Sequence, residues 1–153
     1  MQYWLGKTEP DCYSIDDLRR DRVTSWNDVR NYAARNFLRA MKKGDLLLFY
    51  HSSCAVPAIV GVGKVVKEAY PDPTQFDAKH DGFDAKSTEE NPRWSTVDVK
   101  FVEKFTEPLT LAELKNDPAF AGMEVTRQGS RLSVQPVSEK HFMRIMKLRS
   151  KGE

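Results

Sequence analysis

The chain has 153 residues, of which 40% are hydrophobic and 30% charged, with a formal net charge of +2. That length suffices for one domain with a real core and excludes two large ones. No run approaches ~18 apolar residues, which excludes a membrane-spanning helix; the near balance of charge excludes little, but a protein that coats nucleic acid without selectivity is usually much more basic, so any nucleic-acid face must be local.

Residues 2–7 open with apolar and aromatic side chains and read as a first strand. Ser14 reads as an N-cap for a helix over Ile15 to Arg20, with Asp17 at its third position. A second helix is predicted from Arg30 or Asn31 to about Met41. Tyr32, Phe37, Leu38 and Met41 give it an apolar face, and Gly44 follows Lys42 and Lys43 as a stop. Asp45 to Tyr50 is a strand whose run Leu46-Leu47-Leu48-Phe49-Tyr50 asks for cover on both faces or curling into a barrel. Ala58 to Tyr70 is a long strand in which Gly61 and Gly63 mark a bend. Residues 71–92 are polar and too long for an idle connector, so they read as a functional or mobile loop. Trp94 to Phe105 alternates as a half-buried strand. Thr110 and Glu113 form a capping box for a helix to Asn116. Ser130 to Val134 reads as a short strand, and Ser138 caps a last helix carrying Phe142, Ile145 and Met146. The predicted order is β-α-α-β-β-β-α-β-α, an α+β class in which antiparallel strands with outer helices suggest a small barrel. A single domain is expected over 1–149, with a short tail at 150–153.

The N-terminus has no charged segment ahead of an apolar stretch, so no signal peptide is read and a cytoplasmic location is expected. Cys12 and Cys54 read as free thiols. His51, His80 and His141 are scattered, no metal-ligand spacing occurs, and no cofactor is expected.

The densest chemical signal is Ser25 to Arg39. Trp26 stands just ahead of a helix carrying Arg30, Arg35, Arg39, Asn31 and Asn36, with Asn27 beside it. An indole offers a stacking surface, Arg offers charge to phosphates, and Asn can read a base edge. The same residues would also serve as a core plug next to a solvated basic face. Lys7-Thr8-Glu9-Pro10 leaves the first strand, and strand mouths are common ligand sites. It reads either as a polar pocket edge or as a surface turn. Gln128 to Val137 is a second polar patch, in which Arg131 suits a phosphate, a carboxylate or a strand edge. There is no nucleophile elbow and no phosphate loop, and Gly61-Val62-Gly63 lies inside a strand pattern, the wrong setting for a dinucleotide fingerprint.

Tyr3-Trp4-Leu5, Lys7-Thr8-Glu9-Pro10, Trp26 to Tyr32, Tyr50-His51-Ser52, Tyr70-Pro71-Asp72 and Ser130 to Val137, in that order, make the chain resemble the EVE domain proteins. The resemblance covers nearly the whole length. It implies a PUA-like fold, a small mixed barrel with flanking helices, similar to the YTH domains that read methylated RNA. It also implies a module that binds a flipped modified base, chiefly modified cytosine in DNA, with DNA or RNA as partner. In that family the module stands alone or beside nucleases. Carried over, Trp26 is one open wall of a base cage, and its loss would remove binding without disturbing the fold. Lys7, Thr8 and Glu9 lie at the cage edge, Asn27 and Asn31 read the base, and His51, Ser52 and Ser133 line its floor or rim. Arg30, Arg35 and Arg131 take phosphates, and Phe76 or Phe83 closes the cage. No catalytic residue is assigned. The alternative is an ASCH-type amidohydrolase acting on a modified nucleoside through Lys7, Thr8 and Glu9.

Overall fold

The chain alternates strands with capped helices because its cap residues fall where the sequence signals place them. In a computed structural model that describes residues 1–151, the elements run β1 (Tyr3–Thr8), α1 (Ile15–Asp21), β2 (Val23–Ser25), α2 (Tyr32–Ala40), β3 (Leu46–His51) and β4 (Ala58–Pro71). They continue as β5 (Ser95–Thr110), α3 (Leu111–Asn116), β6 (Val134–Val137) and α4 (Glu139–Arg149). Ser14 and Asp17 close the predicted α1 cap reciprocally: Ser14 Oγ accepts the Asp17 N–H at 3.1 Å and the Asp17 carboxylate accepts the Ser14 N–H at 2.9 Å. Thr110 and Ser138 cap α3 and α4 through their hydroxyls, which accept the Glu113 and His141 N–H groups. Of the expected tail, Ser150 caps α4 and Lys151 follows it, while residues 152–153 lie outside the described residues.

The strands form one sheet in the order β2-β5-β4-β3-β1-β6. β1 runs parallel to β3, with Tyr3 opposite Leu46 and Thr8 opposite His51, and the other pairs are antiparallel. The mixed α+β class is as expected. The expected closure into a barrel is not found among the described residues, because the ladder ends at β2 and at β6. Both edges are short, and Pro136 on β6 has no N–H to offer a further strand. The long β4–β5 pair shifts register repeatedly, including around Gly61 and Gly63, where a bend was read.

The apolar run of β3 is covered on both faces. Leu47 and Phe49 join Trp4, Trp26, Val99 and Leu38 under α1 and α2. Leu48 and Tyr50 join Tyr3, Leu5, Phe105 and Phe142 under α3 and α4. Alternation along β1 and β3 thus feeds two cores from one sheet. Two expectations shift. The last strand occupies Val134–Val137 rather than Ser130 to Val134, because the chain reaches β1 only where Val134 pairs with Gly6. Before that it turns, with Gly129 at a φ of 77° and Ser130 Oγ bonded to Glu124. β2 carried no sequence signal, being three residues long with polar Thr24 and Ser25.

Residues 71–92 are not idle. Gln75 is buried, donates to the Asp72 and Trp94 carbonyls at 2.8 Å each, and accepts the Trp94 N–H at 3.0 Å. One buried amide therefore folds the segment back on the start of β5.

Asp45 ties the N-terminus to the turn before β3. Its carboxylate accepts the Trp4 indole N–H and the Lys42 N–H at 3.0 Å each and the Gln2 N–H at 3.1 Å. Burial alone would push this carboxyl up, but the Lys42 N–H, the Trp4 indole and the Gln2 N–H hold it below the ordinary carboxylate value. Its contribution is present above the unfolded value near ~4 and is lost as pH falls through the lower folded value. Asp45→Ala leaves the buried Trp4 donor unpaired and should cost about 1–3 kcal/mol in urea unfolding at pH 7. The gap from wild type should narrow as the pH is taken toward 3, and a constant gap would exclude the charged form as the stabilising one.

Candidate functional site

The last residues of β1, Lys7 and Thr8, and Glu9 beyond them face the segment after β2. Between the two lies a cleft of about 520 Å³, lined by Lys7, Thr8, Glu9, Trp26, Asn27 and Ser133, with Cys12, Tyr13, Thr24, Ser25, Asp28 and Val29 completing the wall. Its size is that of a small-ligand site. Six residues singled out in the sequence are therefore brought together, although three come from β1 and its exit, two from the segment after β2 and one from the approach to β6.

Trp26 does not stand open as expected. It is 5% exposed and belongs to the core. Its N–H bonds to the Val97 carbonyl at 2.8 Å, and its ring meets Phe49 edge-on at 5.5 Å. The ring reaches this place because Gly6 has no side chain: a Cβ there would lie 2.5 Å from Trp26 Cζ2. The indole is thus both a core member and a wall of the cleft, so its loss would disturb the fold as well as the site.

Two polar atoms in the wall, Thr8 Oγ1 and Asn27 Oδ1, are buried without a hydrogen-bond partner among the described residues. Each costs about 1–3 kcal/mol while it remains unpaired. Lys7 is half-buried and makes no ion pair among the described residues. Burial pushes its ammonium below the ordinary lysine value, against the opposing pull of Glu124. Glu9 and Asp28 bring carboxylates to the same cleft, so the interior is of mixed sign.

Other expected site residues serve the fold. Asn31 is the N-cap of α2, accepting the Ala34 N–H at 3.0 Å, so it is not an edge reader. His51 accepts the Ile15 N–H on Nε2 at 3.1 Å and anchors α1 to the end of β3. Ser52 bonds back to the Thr8 carbonyl through its N–H at 2.8 Å and its hydroxyl at 3.3 Å. Neither His51 nor Ser52 lines the cleft.

Two of the three expected phosphate ligands are engaged within the protein. Arg30 donates to the Gly82 carbonyl at 2.7 and 3.0 Å and to Asp72 at 3.1 Å. Arg35 reaches the Arg93 carbonyl at 2.9 Å and lies 4.7 Å over the Tyr32 ring. Arg131 alone is exposed and forms no hydrogen bond or ion pair among the described residues. Phe76 and Phe83 do not line the cleft. Its second aromatic is Tyr13, whose hydroxyl bonds Asp21 at 2.9 Å. The sequence signal for Tyr13 was slight, an aromatic residue just before the Ser14 cap.

Comparison with known proteins bears on this geometry. The EVE domain family pattern matches residues 2–148. Human Thymocyte nuclear protein 1 is 43% identical over 97% of this chain and 74% of its own length. A crystal structure of a Pseudomonas syringae protein is 49% identical with a TM-score of 0.93, covering 95% of this chain and 98% of that one. The crystal structure of human THYN1 in complex with DNA containing 5-methylcytosine is 42% identical with a TM-score of 0.91, covering 100% of both chains. An ASCH protein from Zymomonas mobilis, 9% identical at a TM-score of 0.55, shares the fold alone. The nuclear protein's name overturns the cytoplasmic location read from the N-terminus. The lack of a secretory signal does not separate cytosol from nucleus.

His51 provides a test of its anchoring role. Burial pushes the imidazole below its ordinary value, Asp16 opposes and Lys104 adds to the lowering. A group depressed on folding contributes stability that is full above its unfolded value near pH ~6.5 and is lost as pH falls through the folded value. Wild-type melting temperature should therefore drop more steeply between pH 7 and 5 than that of His51→Gln. Parallel profiles would remove the imidazole from this account.

Proposed function

Because this chain belongs to the EVE domain family, we propose that its cleft admits a single flipped nucleobase, chiefly a modified cytosine in DNA, and that the protein reads the base without transforming it. The observation that carries this reading is the pair of unpartnered polar atoms, Thr8 Oγ1 and Asn27 Oδ1, in the wall of a cleft that also holds Trp26. A base edge supplies the donors and acceptors that these atoms lack. The amide torsion of Asn is broad, so Asn27 can turn toward a guest at little cost. Asn27 Oδ1 accepts only, which suits the exocyclic amino group of cytosine.

Flipping costs a few kcal/mol in lost stacking and pairing. Contact with the cleft face of Trp26, and with Tyr13 as the second aromatic, returns roughly 1–3 kcal/mol per stacked base. Mixed charge inside the cleft favours a neutral ring there and leaves the phosphates outside it, to cations such as Lys7 and the exposed Arg131, which form no ion pair among the described residues. Similarity to a relative whose structure contains 5-methylcytosine DNA supports the choice of base. The PUA-like reading of the fold, as one domain over 1–149, accords with that similarity. Lacking chemistry of its own, such a module acts through an effector protein.

The amidohydrolase alternative needs a nucleophile or base held by a hydrogen bond. Among the described residues no hydrogen bond links the side chains of Lys7, Thr8 and Glu9, and the resemblance to an ASCH protein extends to the fold alone.

Trp26→Ala should cost about 3–5 kcal/mol of stability, as loss of a large buried aromatic does, so it cannot isolate binding. Trp26→Phe keeps a ring in the core and should weaken binding to a duplex with one 5-methylcytosine by roughly tenfold, measured by fluorescence anisotropy. Unchanged affinity in a folded Trp26→Phe protein would exclude a contribution special to the indole face. Lys7→Gln should lower the slope of log K against log salt by about 1. An unaltered slope would take Lys7 off the phosphate.

A further inference from the structure

The wall of the cleft at Asn27–Val29 has no strand or helix to hold it. Its central residue, Asp28, adopts a φ of 70°, a left-handed conformation that a residue other than glycine enters at a cost. What holds it there is Asp72, a fully buried carboxylate at the end of β4. Asp72 Oδ2 accepts the Asp28 N–H at 2.8 Å and Arg30 Nη1 at 3.1 Å. Asp72 Oδ1 accepts the Thr74 N–H at 2.8 Å, and Thr74 Oγ1 lies 2.7 Å from it and 2.9 Å from Asp28 Oδ1. Asp72 is itself fixed by its own N–H, which bonds the Trp94 carbonyl at 3.0 Å.

Arg30 carries the tie onward. From its hydrogen bond to Asp72 it reaches across to the Gly82 carbonyl, and its Nη2 meets Thr74 Oγ1 at 2.9 Å. Gly82 lies close against the clamp: a Cβ there would lie 2.5 Å from Asp28 Oδ1 and 2.8 Å from Arg30 Nη2, so both side-chain ends would have to shift. One carboxylate and one guanidinium therefore bind the cleft wall, the end of β4 and the 71–92 segment into one piece. Asp72 is not among the residues that line the cleft.

We propose that Asp72 is a positioning residue for base selectivity, holding Asn27 and Asp28 in the shape that distinguishes one base from another. The inference rests on the reading of the cleft as a nucleobase site. An added methyl is sorted by the shape of the wall it meets, which has to be held to within about 0.5 Å, and Asp72 supplies that placement to a wall with no regular structure of its own. It also gives the 71–92 segment a role: the loop is the outer half of the clamp.

The test compares binding of duplexes that differ only in carrying 5-methylcytosine or cytosine at one position. In Asp72→Asn an amide donor replaces an acceptor and faces either the Asp28 and Arg30 donors or those of Thr74. Selectivity between the two duplexes should fall about fourfold, the preference that one buried methyl supplies, while affinity for the unmodified duplex and its salt dependence stay within about twofold. Gly82→Ala presses on the same clamp from the far side and should lower selectivity in the same direction. It also decides the matter if Asp72→Asn does not fold. Equal loss on both duplexes, or unaltered selectivity in a folded variant, overturns the positioning role. Absence of any preference in the wild-type protein overturns instead the nucleobase reading on which the proposal rests.

Discussion

The cleft depends on one close approach, the indole of Trp26 lying against the bare backbone of Gly6. β1 sits near one edge of the sheet, and Lys7, Thr8 and Glu9 leave its end. The segment after β2 begins near the opposite edge. The packing of Trp26 across Gly6 and against Phe49 joins these two stretches directly. A side chain at residue 6 would occupy the ring's place, and the two cleft walls would have no common reference. The same contact explains why an aromatic residue that lines the cleft is almost wholly buried: its ring is shared between core and cleft, and the core takes most of it.

Charge in this protein is largely spent on architecture. Asp45, Asp72 and Arg30 are held by donors and acceptors that join segments distant in sequence, and each has more than one partner. A basic helix face that suggests phosphate binding is partly occupied by carbonyl groups of the 82–93 segment. What remains free at the cleft is sparse, and this fits a protein whose net charge is small. Recognition of such a kind relies on polar groups set in a shaped wall more than on a broad positive field.

Helix starts were legible because they are local. The Ser14, Thr110 and Ser138 caps act over three residues and need no tertiary partner. The continuous apolar run of β3 correctly required cover on both faces. β6 was misplaced by several residues, since pairing with β1 rather than local pattern sets where a short edge strand begins. Barrel closure was also out of reach, because it depends on whether two distant edges meet. Within the site, Lys7, Thr8, Glu9, Trp26, Asn27 and Ser133 were legible as polar or aromatic residues at strand exits. Asn31, His51 and Ser52 were assigned to it by residue type, and each proved to be consumed by a backbone group nearby. Tyr13 and Asp72 were invisible in that role, as nothing in their neighbours reports that one faces the cleft and the other braces its wall.

The sequence by itself determined the α+β class, the capped helices, the two-faced central strand and the family to which the chain belongs, because periodicity, caps and residue order are properties of the linear chain. Only the tertiary structure decided which polar groups are free and which are spent. A hydrogen bond is satisfied by whatever lies within about 3 Å in space, and Arg30 finds acceptors on Asp72, Thr74 and Gly82, more than forty residues away.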